Sequence, residues 1–278
     1  MRGQFLLNAM PHLGVQPPSV QQHKINISCA CGLPPKILHR LGFSFLTRKL
    51  LMLTVPGLCW LCRMPLTISH WGVCSVCTRS FQTRTPCCPQ CGLPATSVHI
   101  PCGRCLQKPP PWDALVAVDD YVQPLSGLIH KLKFSRQTQL AAPLARLLVL
   151  AVLHARRTRN LPAVDLLISV PLHHRRHWRR GYNQSEVLCH PLAHWLRCSY
   201  HPVALKRTHA TAIQHQLSAR LRKRNLKNAF RLELSVKGRH IAIVDDVVTT
   251  GSTVAELSRL LLQSGAATVQ VWCLCRTL

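Results

Sequence analysis

Two adjacent carboxylates and a following run of small hydroxyl residues make up the segment of this 278-residue chain that is best suited to ligand chemistry. Asp245 and Asp246 come directly after the apolar residues 241–244. The turn that follows is Thr249, Thr250, Gly251, Ser252 and Thr253. Such a turn at a helix N-terminus offers N–H groups and hydroxyls to a phosphate, and the helix dipole favours the negative charge. Carboxylates at a strand end can accept hydrogen bonds from sugar hydroxyls, directly or through a divalent metal. The segment therefore predicts a site for a phosphorylated sugar.

A simpler explanation accounts for only part of this segment. A strand followed by a helix with Ser252 or Thr253 as its N-cap would explain the hydroxyls. It would not explain two carboxylates after four apolar residues in a chain with only nine acidic residues. Buried carboxylates without partners are costly, so we favour the phosphate-sugar site.

Eight of the 15 cysteines form four C-x-x-C pairs. A C-x-x-C turn places two thiolates on one side of a tight loop, and two such turns can complete a tetrahedral shell of four sulfurs around Zn²⁺. The spacing predicts two zinc ribbons in series, with a cross-braced pairing of the same residues left open. Cys87 is set aside because only Cys88 keeps the C-x-x-C frame. The predicted ligands are Cys59, Cys62, Cys74 and Cys77 in the first ribbon, and Cys88, Cys91, Cys102 and Cys105 in the second.

Two other uses of these cysteines are less well supported. A disulfide framework needs an oxidising compartment, and the start of the chain lacks the sustained apolar core and cleavage site of a signal peptide. A single [4Fe–4S] cluster would use only four of the eight thiolates. We therefore expect two Zn²⁺ ions and a cytoplasmic protein.

Strands and helices alternate from about residue 113 onward. This alternation predicts an α/β fold, with a mainly parallel sheet covered by helices on both faces and ligands at the carboxyl ends of the strands. No apolar run approaches the ~20 residues that span a bilayer. The predicted strands are 115–121, 166–170, 240–248 and 268–275, and the predicted helices are 124–134, 140–156, 183–196 and 252–264.

The charge balance points to a polyanionic partner. The chain has 35 Lys and Arg against 9 Asp and Glu, a net charge of +26, and its first acid is Asp113. With 47% hydrophobic residues it is too apolar to be a disordered polycation. The basic runs 156–159, 173–180 and 220–224 contain no acid, whereas a solvated surface usually carries mixed charges. Arginines around Trp178 are typical of a single-strand binding groove, so we expect single-stranded DNA as a partner.

Residues 1–51 differ from the rest of the chain. They contain no acid, no helical or strand periodicity and five prolines. We expect either a disordered extension or upstream sequence read in frame, and we favour Met52 as the start. The predicted domains are then a double zinc ribbon over 52–111 and the α/β domain over 112–278.

Residues 241–253 resemble the 5-phosphoribosyl-1-pyrophosphate (PRPP) motif of type I phosphoribosyltransferases. With the cysteine pairs upstream, residues 52–278 resemble the ComF family of competence-associated, phosphoribosyltransferase-like proteins. Further matches are Ser169-Val-Pro171, Arg179-Arg-Gly-Tyr-Asn-Gln184 and the basic stretch 207–230.

The resemblance implies an accessory protein of DNA utilisation or competence, needed for the use of extracellular DNA as a nutrient. It would bind PRPP and single-stranded DNA and work with DNA-uptake or processing proteins. The alternative is an active PRPP-dependent phosphoribosyltransferase of nucleotide salvage, so whether the protein is an enzyme stays open.

The resemblance also implies roles for individual residues. Asp245 and Asp246 would hold the ribose hydroxyls, residues 249–253 would hold the 5-phosphate, and Mg²⁺ would accompany PRPP. Two further loops are assigned in the same way: Arg179, Arg180 and Gly181 on the pyrophosphate side, and Arg207 and Arg220 in a mobile loop that covers the site.

The sequence shows no readable pocket for a base. Candidates for base contact are Trp112, Tyr121, His130 and Phe134, but we expect a core role for each of the aromatic residues. Catalytic residues are therefore not assigned.

Overall fold

The computed structural model describes residues 57–81, 86–172, 180–207 and 230–277. Its amino-terminal part is built from short elements. Strands β1 (Gly57–Leu58) and β2 (Pro65–Leu66) pair antiparallel, and helices α1 (Ser75–Ser80) and α2 (Gly103–Gln107) follow. The predictions for residues 1–51, for Arg179 and Arg220, and for most of the two carboxyl-terminal basic runs lie outside the described residues.

A five-stranded, entirely parallel sheet forms the second part of the molecule. Two short strands between its elements form a separate antiparallel pair. The sheet strands lie in the order β3, β9, β8, β4, β5. Their bounds are β3 (Ala114–Asp120), β4 (Leu166–Ser169), β5 (Ser199–Tyr200), β8 (His240–Val248) and β9 (Thr268–Arg276), and the separate pair is β6 (Leu205–Arg207) and β7 (Phe230–Leu232).

Helices cover both faces of this sheet, as predicted. Helices α3 (Leu125–Phe134), α4 (Ala141–Arg159) and α5 (Gln184–Leu196) pack into one core. Helix α6 (Ser252–Gln263) packs into the other, together with side chains of the β6–β7 pair. All predicted strands and helices are present in the predicted order, and the predicted strand 240–248 has the observed bounds, whereas the short strands β5, β6 and β7 were not predicted.

The central strands carry runs of apolar residues, as expected for strands whose two faces are both covered. Residues 241–244 of β8 are fully buried, and so are most side chains of β9. Each buried aliphatic side chain contributes about 1.5–3 kcal/mol relative to exposure. The sheet is therefore a rigid support for the residues that follow at its carboxyl edge.

One helical stretch, Thr138–Arg159, is long and apolar enough to cross a membrane by length and composition alone. Leu144, Leu148 and Val152 of this stretch are fully buried in the core beside the sheet. The core helix of a folded domain passes the same test, so the stretch is weak evidence for a span.

The expected core role of the aromatic residues is correct for one position and wrong for two. Trp112 is 9% exposed and packs in the core beneath α6. Tyr121 and Phe134 are 41% and 55% exposed, because each lies where an element ends rather than along its buried face.

Candidate functional site

The two predicted carboxylates lie near the carboxyl end of β8, and each has a partner from a different helix. The hydroxyl of Ser185 in α5 donates to Oδ1 of Asp245 at 3.1 Å. The ammonium of Lys133 in α3 lies 2.9 Å from Oδ2 of Asp246. The backbone N–H of Asp246 also donates to Asp245 Oδ1, at 2.8 Å. Sequence reasoning did not identify Ser185 or Lys133, because neither belongs to the motif and only the fold brings them to it.

The surroundings of Asp245 disfavour its charged form. Burial, followed by the neighbouring Asp246 carboxylate, raises the pKa of Asp245 to about 7. The Lys133 ammonium and the hydrogen bonds from Asp246 N–H and Ser185 oppose this rise without cancelling it. Asp246 is 8% exposed and is neutralised by its ion pair. Asp245 therefore changes charge close to neutral pH.

The predicted phosphate turn connects β8 to α6. Gly251 precedes the first residue of α6 with a left-handed φ of +73°, which favours glycine. The Thr250 hydroxyl accepts from the Ser252 N–H at 3.4 Å and lies 3.0 Å from the Ser252 hydroxyl. Thr250 thus supports the helix start, a role that we had considered for Ser252 and Thr253.

A small cavity brings most of the predicted site together. Its lining includes Asp245, the end of β8 and all of residues 249–253. Asp246 is not among the lining residues; its side chain meets Lys133 instead. One carboxylate and the complete hydroxyl turn therefore face a common space at the carboxyl end of the sheet, where ligands bind in folds of this kind.

The segment after β4 is tied to the acid pair through α5. The Asn183 side chain donates to the Val170 carbonyl at 3.0 Å and accepts from the Ser185 N–H at 3.2 Å, so it caps α5 and fixes that helix to the strand end. Ser169 pairs with Val244 in the parallel register, next to Asp245. These contacts position Ser185 so that its hydroxyl reaches the Asp245 carboxylate.

Arg180 lies beside the end of α3. The Arg180 guanidinium donates to the Gln184 side chain at 2.9 Å and stacks 4.9 Å from the centre of the Phe134 ring. Gly181 has a left-handed φ of +79°. Arg180 therefore contacts the residue that follows Lys133, the ion-pair partner of Asp246.

Arg207 ends β6, with its guanidinium 5.4 Å from the centre of the Phe230 ring in β7. It therefore lies at the base of the 208–229 segment. Its predicted part in covering the site stays a prediction.

The eight predicted metal ligands form two separate groups of four, in sequence order. Within each group all sulfur atoms lie within 4.8 Å of one another, which excludes the cross-braced pairing. Representative Sγ–Sγ distances are 3.7 Å for Cys62–Cys74 and 3.8 Å for Cys88–Cys105. A tetrahedral site with Zn–S bonds of about 2.3 Å has sulfur atoms about 3.8 Å apart, so the donor sets fit Zn²⁺. The described cysteines are free thiols.

Backbone N–H groups stabilise the thiolate form of one cysteine in each group of four. Burial acts to raise the pKa of Cys59, but N–H donors from its own turn and from Cys74 outweigh burial and lower that pKa to about 6. The same balance lowers the pKa of Cys88 to about 7, with Cys102 as the first N–H donor. Metal ligands must be deprotonated, so these bonds favour metal binding at neutral pH.

Comparisons with known proteins agree with this arrangement. The sequence profile of the family described as "Phosphoribosyl transferase domain" matches residues 190–278. The DNA utilization protein YhgH of Shigella flexneri is 70% identical over 227 residues, which are 82% of this chain and 100% of that protein. Competence protein F of Haemophilus influenzae is 43% identical over 221 residues, 78% of this chain and 96% of that protein.

Among solved structures, a hypoxanthine phosphoribosyl transferase of Trypanosoma cruzi aligns with a TM-score of 0.33 and 15% identity. The alignment covers 50% of this chain and 66% of that enzyme, slightly less than two thirds of its length.

Proposed function

This chain belongs to the ComF family of phosphoribosyltransferase-like proteins, and from that premise we propose that it acts in the use of DNA and binds a phosphoribosyl ligand, PRPP. Asp245 and Asp246 would accept hydrogen bonds from the ribose hydroxyls, and residues 249–253 would hold the 5-phosphate. We place this activity in the cytoplasm, in keeping with free cysteines whose two groups of four are arranged to hold metal.

One observation carries the proposal: the Asp245 carboxylate and the hydroxyl turn 249–253 line the same cavity at the end of β8. A phosphorylated pentose needs acceptors for its hydroxyls and, some ångströms away, N–H and O–H donors for its phosphate. The strand end provides the first and the start of α6 provides the second. The exposed hydroxyls of Thr249 and Thr250 add donors at the entrance.

The surrounding cations suit a ligand with further phosphates. Lys133 contacts Asp246 directly, and Arg180 contacts Phe134, the residue that follows Lys133 in α3. Mg²⁺, when bound with PRPP, would neutralise the pyrophosphate and polarise the bond to it. The protein side chains would then bind and orient the ribose against this charged end.

Calorimetric titration with PRPP and Mg²⁺ tests the proposal. We expect one ligand per chain, and we expect Thr250→Val with Ser252→Ala to weaken binding about 10-fold, since two hydroxyl contacts are lost at roughly 0.5–1.5 kcal/mol each. The control is Ser264→Ala, which removes a hydroxyl at the opposite end of α6 and leaves the affinity unchanged. If the unaltered chain binds no PRPP, the proposed ligand is wrong.

We further propose that the basic residues of this chain, including the runs 156–159, 173–180 and 220–224, bind single-stranded DNA. The net charge of +26 and the stacking of Arg180 on the exposed Phe134 ring favour this partner, because bases stack on rings and on guanidinium planes. Affinity for a fluorescent oligonucleotide should fall steeply with salt, and Phe134→Ala should weaken binding at constant salt. If no binding is detectable at about 50 mM salt, this part of the proposal is refuted.

An active phosphoribosyltransferase is the second candidate, favoured by the completeness of the acid pair and the phosphate turn. Release of pyrophosphate from PRPP in the presence of a panel of purine and pyrimidine bases would test it. Release that depends on one base would establish transfer, whereas binding without release would leave the fold as a ligand-binding module.

A further inference from the structure

Three successive carbonyl groups of one metal-binding turn accept hydrogen bonds from the α/β domain. The turn is Cys88-Pro-Gln-Cys91, whose two thiolates belong to the second group of four cysteines. Pro89 O accepts from the Leu115 N–H in β3 at 3.0 Å. Gln90 O accepts from the Trp112 indole at 2.6 Å, and Cys91 O accepts from Arg276 Nε at 2.9 Å. The second ribbon is thus bonded to the domain by the backbone of the turn that holds its metal ligands.

Arg276 contacts both the second ribbon and the phosphate turn. It is the last residue of β9 and is 8% exposed. Its Nη1 donates to the carbonyl groups of Val248 and Thr249, the residues that lead out of β8 into the turn. One guanidinium therefore joins Cys91 of the ribbon to the first residue of the turn.

Trp112 makes a second connection. Its ring lies directly beneath Gly251, where an added Cβ would be 3.0 Å from the ring carbon Cη2. Its indole nitrogen is held by Gln90 of the ribbon. The Trp112 side chain therefore packs against the phosphate turn, and its orientation is fixed by the Cys88–Cys91 turn.

Electrostatics favour the same assembly. Among the described residues, no carboxylate forms an ion pair with the buried Arg276. Four thiolates around a divalent metal keep a net negative charge, and this charge would lie next to the guanidinium. An intact second metal site would thus stabilise the cation that holds the turn.

We propose that the second four-cysteine site, acting through Arg276 and Trp112, sets the conformation of the phosphate turn, so that phosphoribosyl binding requires metal in the second ribbon and not in the first. Arg276 and Trp112 are positioning residues in this scheme. The inference rests on the proposed function in one respect, that residues 249–253 hold the phosphate.

The first ribbon provides a matched contrast. It meets the domain through Arg146 of α4, which donates to Val73 O at 3.1 Å and stacks 4.2 Å from the centre of the Trp71 ring. Pro143 of the same helix packs against Gly72. These contacts lie at the start of α4, and none of them involves the phosphate turn.

Paired variants of the full-length, zinc-loaded chain test the proposal. Cys102→Ser disrupts the second site and Cys74→Ser the first. By hydrogen exchange, we expect the amides of residues 249–253 to exchange at least 10-fold faster in Cys102→Ser and at the unaltered rate in Cys74→Ser. Equal exchange in the two variants would overturn the proposal. This readout does not use PRPP, so it separates the failure of this inference from the failure of the proposed function.

A second pair keeps all eight ligands. Lysine keeps the charge of Arg276, but its single nitrogen cannot replace both Nε, which donates to Cys91 O, and Nη1, which donates to Val248 O and Thr249 O. We expect Arg276→Lys to retain two Zn²⁺ per chain, measured by metal analysis, while its affinity for PRPP with Mg²⁺ falls at least 10-fold. Arg146→Lys should keep both the metal and the affinity. Unchanged PRPP affinity in Arg276→Lys would refute the proposal, even if Cys102→Ser failed to fold.

Discussion

Replacing Asp246 by Asn separates the part that this residue plays in stability from its part in binding. Asp246 and Lys133 form an ion pair at 2.9 Å with side chains only 12% and 17% exposed. Asp246→Asn leaves Lys133 as a largely buried cation without its carboxylate. Breaking a buried pair in this way costs roughly 3–5 kcal/mol, and the remaining exposure brings our expectation to about 2–4 kcal/mol in the free energy of unfolding.

The effect on binding has a different origin and size. A hydrogen bond to a charged group contributes about 1.5–3 kcal/mol, and each 1.4 kcal/mol is tenfold in affinity. If Asp246 accepts from a ribose hydroxyl, its loss should weaken PRPP binding roughly 10- to 100-fold. Chemical denaturation measures the first quantity and calorimetry the second.

The double variant Asp246→Asn with Lys133→Met distinguishes the two effects. Neutralising both partners of a buried pair is often close to neutral for stability, so the double variant should regain most of the free energy of unfolding. Its PRPP affinity should stay low, because the acceptor is still missing. Recovery of affinity together with stability would refute Asp246 as a ligand-binding residue. The control is Glu256→Gln, which removes a carboxylate paired with Arg259 on α6 and should change neither quantity by more than about 0.5 kcal/mol.

Three further predictions concern pH, metal and the phosphate turn. Asp245 has a pKa raised to about 7, so its charged form increases as pH rises through 7, and PRPP affinity should increase between pH 6 and 8; Asp245→Asn should flatten this calorimetric profile. The same raised pKa means that Asp245 stabilises the fold fully below about pH 4 and loses this contribution as pH rises through 7, which denaturation of Asp245→Asn should show as a flatter pH dependence. Metal analysis should give two Zn²⁺ per chain, and Cys59→Ser should reduce this to one, whereas Cys87→Ser should leave both; one Zn²⁺ in the unaltered chain would contradict the two-site assignment. Gly251→Ala should abolish PRPP binding while the chain stays folded, because its φ of +73° is strained for alanine and the new Cβ would press on Trp112; calorimetry with an unfolding curve would detect binding that survives.

The parts of this protein that depend on local pattern were predictable from the sequence. Strand β8 was recognisable from the apolar residues 241–244 that precede the two carboxylates, and the eight cysteine ligands were recognisable from the C-x-x-C spacing. The sequence places Gly251 within the phosphate turn, and the structure adds that an added Cβ there would lie 3.0 Å from the Trp112 ring.

The contacts that complete the site were not predictable, because they join residues far apart in the chain. Lys133 lies on a helix whose pattern shows only an amphipathic face, and nothing in its neighbours indicates a carboxylate partner. Arg276 directly follows the predicted strand 268–275, and nothing in the sequence indicates that it donates a hydrogen bond to the carbonyl of a cysteine 185 residues away. The exposed Phe134 was expected in the core, since its type and helical spacing do not tell a buried position from one at the end of a helix.

A crystal structure of the chain with PRPP and Mg²⁺ tests the central claim most directly. The account predicts ribose hydroxyl oxygens within hydrogen-bonding distance, about 2.5–3.2 Å, of the Asp245 and Asp246 carboxylates. It also predicts the 5-phosphate on the backbone N–H groups and hydroxyls of residues 249–253. A ligand bound elsewhere, or a ribose that leaves Asp246 paired only with Lys133, would contradict it.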